Sequence, residues 1–163
     1  MPTRYAGEPD EVRALNAHIK LMRASGTVRA SLDRHLNGLG LTENQFGVLE
    51  TLLHLGPLHQ RRLGQKLFTS GANITVVVDN LEKRSLVRRY RDRNDRRQVT
   101  VSLTPAGRHL IESVFPVHAA RIAALYRALS AEEQDALGAL SKKLGLGTGA
   151  AAPAAAPAAE PGG

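Results

Sequence analysis

From Glu11 onward the apolar side chains Val12, Leu15, Ile19 and Met22 recur at steps of three and four, and Val28, Leu32 and Leu36 carry the pattern on. That spacing lays one apolar stripe along a helix, so residues 11–37 are predicted as a single long helix closed by Asn37-Gly38. Gly26 interrupts it at a cost of about 1 kcal/mol relative to alanine and is the place expected for a bend or a close helix contact. Thr42-Glu43-Asn44-Gln45 has the form of a capping box, followed by Phe46, Leu49, Leu52 and Leu53 on the face of a second helix that Gly56-Pro57 closes. A short third helix from Gln60 to Leu67 is anchored by Leu63 and Leu67. Thr69 or Ser70 then caps a fourth, in which Ile74, Val77, Val78 and Leu81 share one face and Ala72, Asn73, Thr75, Val76, Asp79 and Lys83 take the other. The β-branched run from Ile74 to Val78 also fits a strand, but the cap, the spacing and the polar back face favour helix.

After Leu86 the period changes from 3.6 to 2. Val87 and Arg89 lead into the charged stretch Asp92-Arg93-Asn94-Asp95, and Val99, Val101 and Leu103 alternate beyond it, as two short antiparallel strands around a charged tip would. Thr104 and Pro105 open a fifth helix toward Leu129, which Pro116 should kink or split. Ser130-Ala131-Glu132-Glu133 is a second capping box, opening a last helix with Leu137, Leu140 and Leu144 inward and Gly145 as its stop. The expected fold is therefore mainly α with a small β-hairpin (α+β). Residues 1–10 form a flexible N-terminus, and residues 148–163 form an Ala/Pro/Gly tail that cannot bury a core and is expected to be disordered.

The chain of 163 residues suffices for one domain with appendages. Its formal net charge of +7 favours polyanionic partners, nucleic acid or an anionic membrane surface. It has no cysteine, which excludes disulfides, thiolate zinc sites, catalytic thiols and thiol-based redox sensing. The N-terminus lacks the apolar core of a signal peptide and no stretch is long enough to span a membrane, so a soluble, cytoplasmic protein is expected. No serine–histidine–acid spacing, phosphate loop or paired-carboxylate motif stands out, and neither an enzyme nor a cofactor is expected.

Two short helices, a third with a small polar outer face and a hairpin directly after it follow the order of a winged helix-turn-helix, here at about 42–103. A helix fits the major groove of B-DNA, and short side chains such as Ser70, Asn73 and Thr75 near its N-terminus allow close approach to base edges and phosphates. Seven arginines (Arg84, Arg88, Arg89, Arg91, Arg93, Arg96 and Arg97) oppose only Asp92 and Asp95 on the hairpin. A solvated charged surface is one reading of that excess, and a hairpin that meets DNA is the other, since a narrow minor groove attracts inserted arginine. Winged helices also serve as protein-interaction modules without DNA, and a steep loss of duplex binding with salt separates the two.

The stretch Leu81-Glu82-Lys83-Arg84-Ser85-Leu86-Val87-Arg88-Arg89, followed by Asp95-Arg96-Arg97-Gln98-Val99-Thr100-Val101-Ser102-Leu103-Thr104-Pro105-Ala106-Gly107, resembles the MarR family of bacterial regulators. Thr69-Ser70-Gly71-Ala72-Asn73-Ile74-Thr75 is similar to the start of that family's recognition helix, and the resemblance extends over about 11–145. It implies a homodimer whose first, fifth and sixth helices (about 11–37 and 104–145) interlock with the partner's, each winged module meeting one half of a pseudo-palindromic operator. The resemblance places Ser70, Asn73, Thr75 and Val76 on the major groove, with Lys83 also on the DNA face, puts Arg97 in the minor groove held by Asp95, and sets Arg96 on phosphate. It further implies a repressor released by a small aromatic or phenolic ligand in a cleft beside the dimer helices, for which His18, His35 and His54 are the candidates. A metal-responsive regulator of the same fold is the alternative, but His109 and His118 are nine residues apart, not the three or four that stack on one helix face. Ser85 departs from the family, which has glycine at this helix end, and a left-handed serine costs roughly 1 kcal/mol.

Overall fold

The structure is a computed structural model that describes residues 3–67, 71–91 and 99–150. The charged tip of the hairpin, the Thr69/Ser70 cap and residues 151–163 of the tail lie outside the described residues. The elements in chain order are α1 (Pro9–Gly38), α2 (Glu43–Leu55), β1 (Leu58–His59), α3 (Gln60–Lys66), α4 (Gly71–Lys83), β2 (Val87–Arg91), β3 (Val99–Leu103), α5 (Pro105–Tyr126) and α6 (Ala131–Ala150). They fall into two compact units, Met1–Ile122 and Ala123–Gly163.

In the first unit, α1 runs unbroken for 30 residues through Gly26, where an added Cβ would meet nothing within 4 Å. The chain then turns at Gly40, whose φ of 68° an L side chain adopts only with strain. The Thr42 box forms as its residue types require, with the Gln45 N–H donating to Thr42 Oγ1 and the Thr42 N–H donating to Gln45 Oε1. Gly56 ends α2 at φ 72°. Directly after it lies a strand that two residues are too few to announce: Leu58–His59 pairs antiparallel with Val101 and Thr100 of β3. The expected hairpin is thus part of a three-stranded sheet in the order β1-β3-β2. Because β3 is the central strand, Val101 is fully buried beneath it. The core is one cluster joining Leu36 and Leu41 to Phe46, Val48, Leu49 and Leu52 of α2, Leu63 of α3, Ile74, Val77, Val78 and Leu81 of α4, and Ile111 and Val114 of α5. Burial of those four α4 residues decides the β-branched run in favour of helix.

The end of α4 is left-handed without glycine. Ser85 has φ 57°, its N–H bonds the Glu82 carbonyl and the Leu86 N–H reaches back to Leu81, which satisfies the last carbonyls of the helix. The same two residues receive the start of α5: the Thr104 N–H donates to the Leu86 carbonyl, Thr104 Oγ1 donates to the Ser85 carbonyl, and Gly107 N–H caps onto Thr104 Oγ1. A Cβ on Gly107 would come within 1.8 Å of the Leu86 carbonyl oxygen, so the helix can start here only over a glycine.

Pro116 sits inside α5 without splitting it. In the second unit the Ser130 box forms, with Glu133 N–H on Ser130 Oγ and Ser130 N–H on Glu133 Oε2. Two expectations for α6 need correction. The helix passes through Gly145 to Ala150, since one glycine costs about 1 kcal/mol and does not by itself stop a helix. Leu137, Leu140 and Leu144 are exposed, not inward, and form a stripe that the single chain leaves uncovered.

Two substitutions at the α4–β2–α5 junction should act in opposite directions. Ser85→Gly should stabilise by about 1 kcal/mol, because glycine adopts the left-handed turn freely, raising the melting temperature by roughly 2–4 °C. Gly107→Ala should destabilise by about 1–3 kcal/mol or more through the clash with a backbone that cannot retreat. Thermal melts of both variants check the junction, and a Gly107→Ala protein as stable as the parent would refute the contact.

Candidate nucleic-acid interface

Helix α4 buries Ile74, Val77, Val78 and Leu81, and this leaves Ala72, Asn73, Val76, Asn80 and Lys83 on the opposite, exposed arc. Of the residues assigned to DNA by sequence, Asn73, Val76 and Lys83 therefore share one open face, while Ser70, Asp95, Arg96 and Arg97 lie outside the described residues. Thr75 is half-buried at the edge of that face and its hydroxyl is engaged twice, donating to the Gly71 carbonyl and accepting from Gln60 Nε2 of α3, each at 2.9 Å. Its role is to tie α3 to α4, which leaves its methyl as the group it can offer outward.

The arginine excess counted along the hairpin shrinks in three dimensions. Arg89 on β2 turns back onto α4: its Nε and Nη2 donate to Glu82 Oε2 at 3.0 and 2.7 Å, its backbone N–H donates to Glu82 Oε1 at 2.9 Å, and Nη2 also reaches Asp79 Oδ1. The hydrogen bond from Arg89 holds the Glu82 carboxyl below its ordinary value, and Glu82 in turn raises the guanidinium. Arg84 donates to the Gly40 carbonyl at 2.7 Å, and Arg88 Nε donates to Ser102 Oγ at 3.2 Å. These three arginines tie neighbouring segments of the module together. The sequence count missed Asp79 and Glu82 as counter-charges of Arg89 because both lie on the preceding helix.

The three candidate effector histidines are not brought together. His18 borders a shallow apolar hollow with Tyr5, Ala14 and Leu15. His54 meets Phe115 edge-on at 4.9 Å, and His35 stacks on His118 at 6.1 Å. His118 is the residue that sequence reasoning set aside with the metal question. It is 7% exposed, packs against Phe46 at 4.3 Å, and lines a cavity of about 540 Å³ with Arg29, Glu43, Phe46, Glu50 and Leu67. Arg29 and Glu43 pair across its rim at 2.6 Å. His118 Nδ1 and His35 Nε2 are buried with no partner among the described residues. Burial, then the neighbouring His35, pushes the His118 pKa down. No signal along the chain announces this cluster, since 35, 46 and 118 meet only when α1, α2 and α5 pack. Among the described residues no group of three or more His, Cys, Asp or Glu side chains could hold a metal ion, and no helix is long and apolar enough to cross a membrane.

Residues 41–99, from the start of this winged module to the first residue of β3, match the MarR family. The HTH-type transcriptional regulator MhqR of Bacillus subtilis is 34% identical over 82% of this chain and 92% of its own length. The chain belongs to the MarR family. Among solved structures, a mutant MarR from Escherichia coli in complex with operator DNA is 26% identical, with a TM-score of 0.72 over 85% of this chain and 99% of that one. Bordetella bronchiseptica BpsR, described as regulated in its DNA binding by 6-hydroxynicotinic acid, is 28% identical, with a TM-score of 0.73 over 79% and 98%. This MarR-family chain is a DNA-binding transcriptional regulator, not an enzyme.

The lowered His118 pKa makes the junction of α1, α2 and α5 sensitive to acid. The folded value lies below the ordinary 6.5, so between the two values the unfolded chain binds more protons and stability rises with pH. His118 thus contributes fully above pH 6.5, and its contribution is lost as pH falls toward the folded value. Melting temperatures measured from pH 7.5 to 5.5 should fall more steeply for the parent than for His118→Leu. Parallel curves for the two proteins would rule out the coupling.

Proposed function

We propose that this chain is a dimeric, sequence-specific repressor that binds a pseudo-palindromic operator and is released by a small aromatic or phenolic ligand. The observation that carries the reading is the open arc of α4, small and uncharged up to Lys83, set beside an arginine-rich wing strand in a MarR-family module. In this reading Asn73, Val76 and Lys83, with Ser70 ahead of them and the methyl of Thr75 at their edge, face the major groove. Arg97 enters the minor groove with Asp95 holding it, and Arg96 meets phosphate. Repression by occupancy asks nothing more of the protein than this, because a dimer seated on an operator that overlaps a promoter excludes the polymerase.

Exposed apolar side chains support the dimer. Leu15 and Met22 on α1, Val117 and Ile122 on α5, and Leu137, Leu140, Leu144 and Leu146 on α6 are uncovered in the single chain, and apolar surface on this scale marks an association face. Segments 11–37 and 104–145 are accordingly the proposed dimerisation helices. For the ligand, the cavity beside His118 replaces the scattered sites at His18 and His54. Phe46 and Leu67 offer an apolar wall, and Arg29 at the rim offers a cation to a phenolate or carboxylate.

Fluorescence anisotropy on a preferred duplex and on random DNA, across a salt series, tests the DNA contacts. Binding should saturate at two chains per duplex and weaken steeply with salt. Arg97→Ala should weaken binding to both DNAs and make the salt slope shallower by about one unit. An unchanged affinity and slope in a folded Arg97→Ala protein would exclude the wing contact.

A further inference from the structure

Val76 is the least protected large apolar side chain on α4, 57% exposed. At 3.6 residues per turn it falls in the middle of the open arc, with Ala72, Asn80 and Lys83 around it and the buried Ile74, Val77, Val78 and Leu81 behind. A β-branched residue at an exposed helix position is a poorer helix former than alanine or lysine, and among the described residues little packing compensates for it, since Val76 stays exposed. The hydrogen-bonding side chains beside it on the arc are the short amides of Asn73 and Asn80, with no long cationic side chain until Lys83. Ala72 ends in a methyl, and the hydroxyl of Thr75 is already bonded to Gly71 and Gln60. Arginine, the usual reader of guanine O6 and N7, is absent from α4, and its one lysine, Lys83, lies in the last turn.

We propose that Val76 is a specificity-determining residue that packs on the 5-methyl group of a thymine, so that the bases under the middle of α4 are read by methyl contact and not by guanine hydrogen bonds. The proposal rests on the reading of α4 as the major-groove helix. Of the groups displayed in that groove, only the thymine methyl is apolar in unmodified DNA. A valine set against any other base edge would desolvate a donor or acceptor without replacing its hydrogen bond, which is unfavourable.

Replacement of thymine by uracil removes the methyl and nothing else. The full-length protein would first be used to select preferred duplexes from random DNA, and the best duplex would then be resynthesised with deoxyuridine at one thymidine at a time. At a thymine in each half-site the substitution should weaken binding roughly three- to tenfold, the scale of one or two buried methyl groups. Val76→Ala, on the solvent face of a helix, should fold normally, bind the thymine duplex more weakly by a similar factor, and no longer distinguish it from the uracil duplex. The proposal is overturned if no uracil position costs more than twofold, or if Val76→Ala still discriminates thymine from uracil. Failure to select any preferred duplex would overturn the reading of α4 as a DNA helix itself, and so the two failures are told apart.

Discussion

Two consecutive carbonyls, those of Ser85 and Leu86, hold the winged module together. Where α4 ends, the chain must reverse into β2, and at Thr104, 19 residues after Ser85 and beyond the wing, it must return to the same spot to begin α5. The left-handed Ser85 makes the first turn, and Thr104 bonds both carbonyls to make the second. Gly107 lets the first turn of α5 lie against that backbone with no side chain between. The C-terminus of the proposed reading helix, both roots of the wing and the start of α5 are therefore set by one small group of backbone hydrogen bonds. A displacement of the Ser85–Leu86 turn would move all of them together.

Charge on this framework is divided by role. Arg89 pairs with both Asp79 and Glu82 at the side of α4, offsetting part of the negative charge that would repel an approaching phosphate backbone, and at the same time it ties the wing strand to the helix. Arg84 and Arg88 are spent on the Gly40 carbonyl and on Ser102. Both of those partners are uncharged and both arginines are exposed, so they keep their positive charge, while the open arc of α4 carries none until Lys83. A helix with that surface fits the proposed reading by methyl contact, in which the attraction to phosphate comes from elsewhere in the module.

The His35–His118–Phe46 cluster stands where α1, α2 and α5 meet. Two buried ring nitrogens without partners are costly unless something hydrogen-bonds them part of the time. A cavity lies directly beside His118. Occupying it would press on α2 and on Leu67 at the end of α3, the two elements that lead into α4. A ligand seated there, as proposed, would act through elements in direct contact.

The sequence by itself determined the elements whose signals are local. Apolar periodicity found α1 to α6, the Thr42 and Ser130 boxes placed two helix starts to the residue, and alternation found β2 and β3. The stretch from Leu81 to Gly107 carried the family because its turn and cap residues are set by local backbone geometry. Only the tertiary structure decided the rest. A two-residue β1 has no period to detect and exists because β3 offers it hydrogen bonds. Gly145 could not stop α6, and Leu137, Leu140 and Leu144 could not be told inward from outward, since periodicity reports a stripe without saying what covers it. The arginines were legible as charges, but Arg84, Arg88 and Arg89 found their partners on other elements. His118 acquired its cavity, its neighbours and its lowered pKa from helices distant in the chain, because burial and contact are properties of packing, to which no single segment of sequence has access.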